Sequence, residues 1–387
     1  MVSFNDLGAY QDIFSRYGVA GSDLAVWVGY KQVYRHMSGW QNAAKKIPVS
    51  EKTLYRMFSM TKPVTVTAAM QLYERCLFRL DDPLSDYLPE FADMRVRERA
   101  ADGSERIVPA ENPILIRHLF EMTAGFDYDK DSPEMSRWVD EKDTDHTLAD
   151  FSKLIASRPL QFEPGTRWLY SVAHDILARL VEVISGMSIG EYVRRYIFDP
   201  IGMDSAVYRL TPEKEKDLCQ ISRPDEKTGL PVTTDLGRTL YCGRKFEGGG
   251  AGLIMTVDDY AKFTAMLTHK GKAENGTRIL AETTIDLIRT NRLSGIQLSD
   301  FQSVRTRIGY GYGLGMRTHI DRAASGSLTP LGEFGWGGML GTYMAAIPEK
   351  RISIVYAMQV LSCPQRTLIR SMICSMACAA LEYEGIL

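Results

Sequence analysis

The most informative segment of the sequence is residues 56–62, Arg56-Met57-Phe58-Ser59-Met60-Thr61-Lys62. They lead from a strand-like run into a segment whose apolar residues recur at helical spacing, with Pro63 tolerable in the first turn. On such a helix Ser59 and Lys62 lie on the same face, so the lysine amine can reach the serine hydroxyl. At the start of the helix Ser59 also faces the positive end of the helix dipole. No other serine of the chain is followed by a lysine three residues later.

This pair of residue types is typical of nucleophilic catalysis. A serine hydroxyl is a weak nucleophile and needs a base. A lysine can be that base when desolvation or a nearby cation lowers its pKa. The same spacing also arises by chance on solvated surface helices, so the interpretation depends on companion motifs elsewhere in the chain.

Strand-like patterns lie near both ends of the chain, with helical patterns between them. Strands are predicted over 24–30, 33–37, 309–317, 341–347 and 352–358, and helices over 4–17, 59–76, 171–186, 189–197, 256–268 and 364–382. The first two strands would form a hairpin through Lys31-Gln32. We expect an α/β (α+β) protein in which residues 1–80 and 246–387 form a sheet lobe. Residues 81–245 would form an inserted, mainly helical lobe.

The composition excludes several classes of partner. The 387 residues carry a formal net charge of −2, with 45% hydrophobic and 24% charged residues. This balance gives no electrostatic footprint for nucleic acid or an anionic membrane. The chain has no apolar run of the length that spans a bilayer, and its first residues lack the pattern of a secretory signal. We therefore expect a cytoplasmic protein without a nucleic-acid or membrane partner. That it acts on a small molecule follows only from the motifs described below, and its oligomeric state stays open.

The cysteines and histidines give no pattern of a metal site. No CxxC, HxH or HExxH spacing occurs, so we expect no metal and no cofactor. Cysteines in a long chain of this kind are typical of reduced thiols, most of them in the core. The six cysteines are Cys76, Cys219, Cys242, Cys363, Cys374 and Cys378.

Two further motifs accompany Ser59-Met-Thr-Lys62. They are Tyr170-Ser171-Val172 and Trp336-Gly337-Gly338, the second just before the predicted strand 341–347. In this order the three motifs resemble those of the penicillin-recognising serine hydrolases related to class C β-lactamases, and in particular the family VIII carboxylesterases. The resemblance covers nearly the whole chain. It implies a β-lactamase/transpeptidase-like fold, with an antiparallel sheet flanked by helices and the active site in the cleft between the two lobes.

The resemblance also implies a role for each motif residue. Ser59 would be the nucleophile, and Lys62 would accept its proton directly or keep Tyr170 anionic. Tyr170 would pass a proton to the leaving group and then activate water. The backbone N–H groups of Ser59 and Met339 would form the oxyanion hole. The small Gly337 and Gly338 would let substrate approach the strand edge.

Two departures from the family pattern bear on the substrate. β-Lactamases and transpeptidases place a lysine where this chain has Trp336, and that charge meets the substrate carboxylate. An indole cannot pair with a carboxylate, although it can hold a neutral group. Val172 stands where lactamases have an asparagine that binds the acyl amide. Both changes favour neutral esters, unless Trp336 is a plain core residue.

A third departure lies in the loop 117–128. Family members often read H-T-S-G near its end, whereas this chain reads Met122-Thr-Ala-Gly125. The resemblance implies that the loop lines the acyl pocket, with Phe126 and Tyr128 facing substrate. We interpret His118 and His174 as structural, because catalysis in the family requires no histidine.

Several functions share this set of motifs. The first hypothesis is an esterase with an acyl-enzyme on Ser59, with weak β-lactam hydrolysis possible. A β-lactamase, a D-amino-acid amidase, a D,D-peptidase and an acyltransferase are alternatives of the same fold. Transferase and esterase activities cannot be separated by sequence, because they share the acyl-enzyme and differ only in the acceptor. A binding protein without catalysis is a further alternative, which the intact Ser59, Lys62 and Tyr170 disfavour.

Overall fold

The computed structural model of the protein describes residues 2–99, 102–129, 131–141, 145–237, 239 and 244–387. The strands are β1 Gly21–Val28, β2 Lys31–Asn42, β3 Ile47–Pro48, β4 Tyr55–Arg56, β5 Arg95–Arg99, β6 Glu105–Pro109, β7 Ser222–Pro224, β8 Pro231–Thr233, β9 Ile254–Met255, β10 Tyr310–Tyr312, β11 Arg317–His319, β12 Phe334–Gly337, β13 Tyr343–Ile347 and β14 Ile352–Met358. The α-helices are α1 Phe4–Asp12, α2 Thr61–Glu74, α3 Ile116–Glu121, α4 Pro133–Asp140, α5 Leu148–Ala156, α6 Ala173–Ser185, α7 Ile189–Val193, α8 Asp199–Ile201, α9 Pro212–Glu215, α10 Val257–Thr268, α11 Glu282–Arg289, α12 Gly295–Gln302, α13 Arg322–Ser325 and α14 Arg366–Tyr383. Short 3-10 turns cover Ile13–Tyr17, Phe58–Met60, Leu84–Asp86, Pro89–Phe91, Arg305–Arg307 and Pro348–Lys350, and a π turn covers Arg194–Phe198.

An antiparallel sheet joins the two ends of the chain. Its strands lie in the order β10-β11-β12-β13-β14-β1-β2-β3. The N-terminal strand β1 pairs with β14, with Ser22 opposite Met358 and Val28 opposite Ile352. Three two-stranded ribbons, β4–β9, β5–β6 and β7–β8, lie outside this sheet. The predicted mixed fold, with an antiparallel sheet flanked by helices, is therefore confirmed.

Both faces of the sheet are covered, because the side chains of β14 alternate between two apolar clusters. Val355 and Ala357 belong to the larger cluster, which includes α2, α6 and α10. Ile354, Tyr356 and Met358 belong to the second cluster, which includes α1 and α14. Every residue of β14 is buried, as expected for a central strand with helices on both sides.

Helix α2 lies in the centre of the molecule. Residues 61–72 of this helix are all buried, and the helix packs against α6 from the inserted segment. Burial on all sides explains why apolar residues occur around much of its circumference rather than on one stripe. Although the sequence assigned α2 to the sheet lobe, the larger apolar cluster runs through it from one predicted lobe to the other. The boundaries of the two lobes stay a prediction.

Some predicted boundaries differ from the observed ones. The first hairpin turns at Gly29-Tyr30 rather than Lys31-Gln32, and Gly29 has a φ of 64°, which favours glycine. The strand predicted over 309–317 is two strands, β10 and β11, separated by a turn in which Gly315 has a φ of 82°. Trp336 lies on the short strand β12, which the sequence pattern did not predict.

The cysteines of the described residues are free thiols. Cys219, Cys363, Cys374 and Cys378 are buried and Cys76 is exposed, whereas Cys242 lies outside the described residues. None of the helices in the described ranges combines the length and the hydropathy that crossing a bilayer requires.

Candidate active site

Ser59 lies in the sharp turn between β4 and α2. The preceding residue, Phe58, has a φ of 48°, a left-handed conformation that non-glycine residues seldom adopt. Two contacts hold the turn: the Met57 N–H donates to the Leu253 carbonyl at 2.9 Å, and the Thr342 hydroxyl donates to the Met57 carbonyl at 2.9 Å. The turn places Ser59 among the residues that line a cavity. Helix α2 begins at Thr61, so Ser59 precedes the helix by a 3-10 turn.

Lys62 is completely buried beneath Ser59. Its Nζ lies 3.5 Å from the Ser59 hydroxyl, 2.9 Å from the Tyr128 hydroxyl and 2.8 Å from the Gly250 carbonyl. Burial disfavours the ammonium, but the attraction of Tyr128, Tyr170 and Asp175 outweighs it, so the pKa of Lys62 is raised. The charged form of the amine is therefore favoured.

Tyr170 approaches Lys62 from the loop before α6. The Lys62 Nζ lies 4.9 Å from the centre of the Tyr170 ring. The Tyr170 hydroxyl accepts a hydrogen bond of 3.1 Å from the Trp336 indole N–H. The Tyr170 ring contacts the rings of both Tyr128 and Trp336, with centroids 5.4 Å apart in each pair. The first residues of the three sequence motifs are thus brought together.

The loop 337–339 faces Ser59 across the cavity. The Gly338 N–H donates to the Thr342 carbonyl at 2.8 Å. A Cβ on Gly338 would lie 2.1 Å from the Thr342 hydroxyl oxygen and 2.3 Å from the Met57 carbonyl oxygen. Only glycine therefore fits at this position. The Met339 side chain is exposed, and the role of its N–H in an oxyanion hole stays a prediction.

Two arginines of α14 contact the carbonyl groups of this loop. Arg370 donates to the Gly338 carbonyl, and Arg366, one turn earlier on the helix, donates to the Met339 carbonyl. Burial lowers the pKa of Arg370 to about 9, which leaves it charged at neutral pH. The α14 helix therefore holds the carbonyl groups of this loop.

The cavity has a volume of about 540 Å³. Seven of the sequence-predicted site residues line it, and Lys62 lies buried beneath it; the seven are Ser59, Tyr128, Tyr170, Trp336, Gly337, Gly338 and Met339. Phe126 is not among the described residues that line the cavity. It is buried and packs against Phe91, with ring centroids 5.6 Å apart. The structure thus places Phe126 in the core of the inserted segment, because the loop turns at Gly125, where φ is 91°.

The sequence analysis missed the charged residues of the cavity. Four arginines line it, Arg307, Arg317, Arg366 and Arg370, with one carboxylate, Glu333, among the described residues. Arg317 pairs with Glu333 through two hydrogen bonds of 2.7 Å, and both side chains are buried. No sequence motif marks these positions, because they come from four separate segments that only the fold brings together.

The two histidines interpreted as structural are both buried and uncharged. Burial, together with the nearby Lys62 ammonium, lowers the pKa of His174 to about 3, and burial lowers the pKa of His118 to about 4. The His174 Nε2 lies 3.4 Å from the Phe120 carbonyl oxygen. The His118 Nδ1 accepts a hydrogen bond of 3.2 Å from the Leu115 N–H. Both are anchors between segments of the fold.

The chain is similar to known proteins in both sequence and fold. The Beta-lactamase family model matches residues 7–367. The chain is 30% identical to Protein Rv1367c of Mycobacterium tuberculosis, over 89% of this chain and 86% of that protein. It is also 30% identical to Esterase EstB of Burkholderia gladioli, over 80% and 78% of the two chains. The solved structure of EstCE1, a hydrolase with promiscuous acyltransferase activity, has a TM-score of 0.76 at 23% identity and covers 97% of both chains.

The family match covers nearly the whole chain, and the relatives match it over most of their length. The resemblance inferred from the three motifs is therefore confirmed. This chain belongs to the beta-lactamase family of penicillin-recognising serine hydrolases, with esterases among its relatives.

Proposed function

We propose that the protein is a serine hydrolase that cleaves carboxylic esters through an acyl-enzyme on Ser59. The observation that carries this proposal is the approach of Lys62 and Tyr170 to Ser59 at one cavity. The identity with an esterase over most of both chains supports an ester as substrate. Trp336 stands where the family has a lysine, and its indole N–H donates to the Tyr170 hydroxyl, which supports a role in the site.

In the acylation step, the Tyr170 phenolate takes the proton of the Ser59 hydroxyl while the Ser59 oxygen attacks the ester carbonyl. The Lys62 ammonium stabilises the phenolate. The N–H groups of Ser59 and Met339 stabilise the negative oxygen of the tetrahedral intermediate. The bond from the carbonyl carbon to the alcohol oxygen then breaks, and Tyr170 returns its proton to the leaving alkoxide.

Deacylation repeats these steps with water as the nucleophile. Tyr170 takes a proton from water, the hydroxide attacks the acyl-enzyme, and Ser59 leaves with the proton that Tyr170 returns. The sum is one ester and one water converted to one acid and one alcohol. Because Lys62 stays charged throughout, this cycle requires no neutral lysine.

The test is the reaction of Ser59 itself. We expect Ser59→Ala to abolish hydrolysis of p-nitrophenyl butyrate and covalent labelling by a fluorophosphonate, measured by intact mass. Ser371→Ala is the matched control, because Ser371 lines the same cavity and should still be labelled at Ser59. Substantial turnover or labelling in Ser59→Ala would refute the proposal.

An acyltransferase is the second candidate, favoured by the shared fold with EstCE1, a hydrolase with promiscuous acyltransferase activity. The acyl-enzyme is common to both reactions, and only the acceptor differs. Product analysis in water with increasing concentrations of an added alcohol distinguishes them. For a hydrolase, free acid should remain the main product.

The free thiols of the described cysteines support a reducing compartment, and we propose the cytoplasm.

A further inference from the structure

Arg307 occupies an unusual position at the cavity. Its guanidinium carbon lies 5.0 Å from the centre of the Trp168 ring, 5.2 Å from Phe301 and 5.9 Å from Trp336. The side chain is half-buried and lines the cavity. Three aromatic faces thus hold the cation in place and leave its N–H groups free for another partner.

Within the described ranges, no acceptor or carboxylate pairs with the Arg307 guanidinium. Its electrostatic neighbours are the phenols of Tyr170 and Tyr312, and burial lowers its pKa. A guanidinium presents five N–H donors in a planar fork. These donors lie at the cavity, where an anion would accept charge-assisted hydrogen bonds from them.

Each of the other arginines of the cavity already has a partner, although the buried Nε atoms of Arg366 and Arg370 have none among the described residues. Arg317 is paired with Glu333, while Arg366 and Arg370 donate to backbone carbonyl groups. The described lining therefore has an excess of positive charge, although the whole chain has a formal net charge of −2. A cavity with such a local excess attracts anionic ligands.

We propose that Arg307 binds a carboxylate on the alcohol half of the ester substrate, so that the natural substrates are anionic esters. This inference rests on the proposed function. It also revises the expectation of neutral esters: the cation that the family places at position 336 is supplied instead by Arg307, beside Trp336.

The position of Arg307 relative to Tyr170 indicates which half of the ester carries the charge. Both side chains lie against the Trp336 ring. The centre of this ring is 5.4 Å from the centre of the Tyr170 ring and 5.9 Å from the guanidinium carbon of Arg307. In the proposed mechanism Tyr170 protonates the leaving alcohol. The alcohol half of the substrate therefore lies on the Tyr170 side, where its carboxylate can reach Arg307.

The test compares 3-carboxyphenyl butyrate with its neutral analogue, 3-carbamoylphenyl butyrate. We expect the wild-type protein to prefer the carboxylate by about 10- to 100-fold in kcat/KM, as for a charge-assisted pair. In Arg307→Gln this ratio should fall to near one, and Arg307→Lys should retain part of it. Arg305→Gln is the matched control, because Arg305 is exposed and two residues away; its ratio should equal that of the wild type.

A wild-type ratio near one, or an equal ratio in Arg307→Gln, would overturn the inference. A second pair places the charge on the acyl half: p-nitrophenyl hydrogen glutarate and p-nitrophenyl glutaramate. An Arg307-dependent preference in this pair alone would also overturn it.

A binding measurement separates this inference from the proposed function. We expect 3-hydroxybenzoate to bind the full-length wild-type protein about 10-fold or more tightly than 3-hydroxybenzamide by calorimetry, and to lose that advantage in Arg307→Gln. Equal binding of the two compounds would refute the anion site even if esters are hydrolysed. Absence of ester hydrolysis together with Arg307-dependent binding would refute only the proposed function.

Discussion

The hydrogen bonds of the Lys62 amine bear on which group acts as the base. Its Nζ donates to the Ser59 hydroxyl, the Tyr128 hydroxyl and the Gly250 carbonyl. An ammonium has three N–H donors, so all three are engaged. A lysine in this state has no free electron pair with which to accept the Ser59 proton. We therefore expect a phenol to be the base, and two tyrosines contact Lys62.

Exchanging each tyrosine for phenylalanine identifies the base. We expect Tyr170→Phe to lower kcat for p-nitrophenyl butyrate by about 10²- to 10⁴-fold, the usual contribution of a general acid–base group. Tyr128→Phe should lower it by less than about 10-fold, because its hydroxyl contacts the Lys62 amine and contributes one hydrogen bond there. The two variants are matched, since each removes one hydroxyl beside the same lysine. A larger loss in Tyr128→Phe would assign the base to Tyr128.

At the residue scale the sequence predicted the reactive groups better than their electrostatic surroundings. Ser59, Lys62 and Tyr170 form motifs with recognisable order, and the fold brings them together. The arginines of the cavity belong to no motif, and Phe126 was assigned to the pocket only because its loop was. Whether a loop residue faces a pocket or the core depends on a single backbone turn, here at Gly125.

At the scale of elements, α14 determines the orientation of the loop opposite Ser59. The carbonyl of Gly338 and the N–H of Met339 belong to the same peptide unit and point in opposite directions in a trans peptide. Arg370 donates to that carbonyl. We expect this contact to fix the orientation of the peptide unit and to strengthen its N–H as a donor, as the predicted oxyanion hole requires.

Arg370→Met should lower kcat by about 10- to 100-fold with little change in KM, because an N–H that acts in the transition state loses its orientation. Arg366→Met is the matched control one helical turn away. Arg366 contacts the Met339 carbonyl, which belongs to the next peptide unit, so its effect on kcat should be less than about 5-fold. Equal effects of the two substitutions would contradict this role for Arg370.

The long elements of the fold were predicted and the short ones were not. Helices α2, α6, α10 and α14 have enough turns to show their periodicity. Strand β12 has four residues, two of them glycine, and shows no alternation. The prediction therefore placed Trp336 before a strand, whereas it lies on one. A Cβ on Gly335 would lie 2.2 Å from the Met344 carbonyl oxygen. Glycines that allow this close approach of neighbouring strands remove the pattern by which a strand is recognised.

At the scale of the whole molecule, neutral histidines join segments that are distant in sequence. A Cβ on Gly315 would lie 2.8 Å from the ring of His174, so the turn between β10 and β11 rests on α6. A Cβ on Gly165 would lie 3.0 Å from the ring of His118. Strands at both ends of the chain predicted this architecture, but the contacts that hold its segments together depend on packing that no periodicity reveals.

These histidines make the stability of the fold sensitive to acid. The pKa of His118 is about 4 in the folded protein, against an ordinary value of about 6.5 when unfolded. The unfolded chain therefore binds more protons between these values, and stability is lost as the pH falls through this range. The contribution is about 1.4 kcal/mol per pH unit for a single histidine. Asp23 has the opposite effect on the pH dependence of stability, because burial raises its pKa to about 7 even beside Arg35. Its contribution to stability therefore falls as the pH rises towards that value.

Several groups of the wild type change their protonation over the same pH range. The contribution of His118 is therefore measured as the difference in unfolding free energy between the wild type and a His118 variant. His118→Gln retains an acceptor for the Leu115 N–H but cannot be protonated in this range. We expect its free energy of unfolding, from urea titrations, to fall less steeply than that of the wild type between pH 6.5 and 5, by about 2 kcal/mol in total. Above pH 7.5 the two proteins should show the same pH dependence, because His118 is then neutral in both states. Parallel curves below pH 6.5 would mean that His118 is not buried as a neutral anchor.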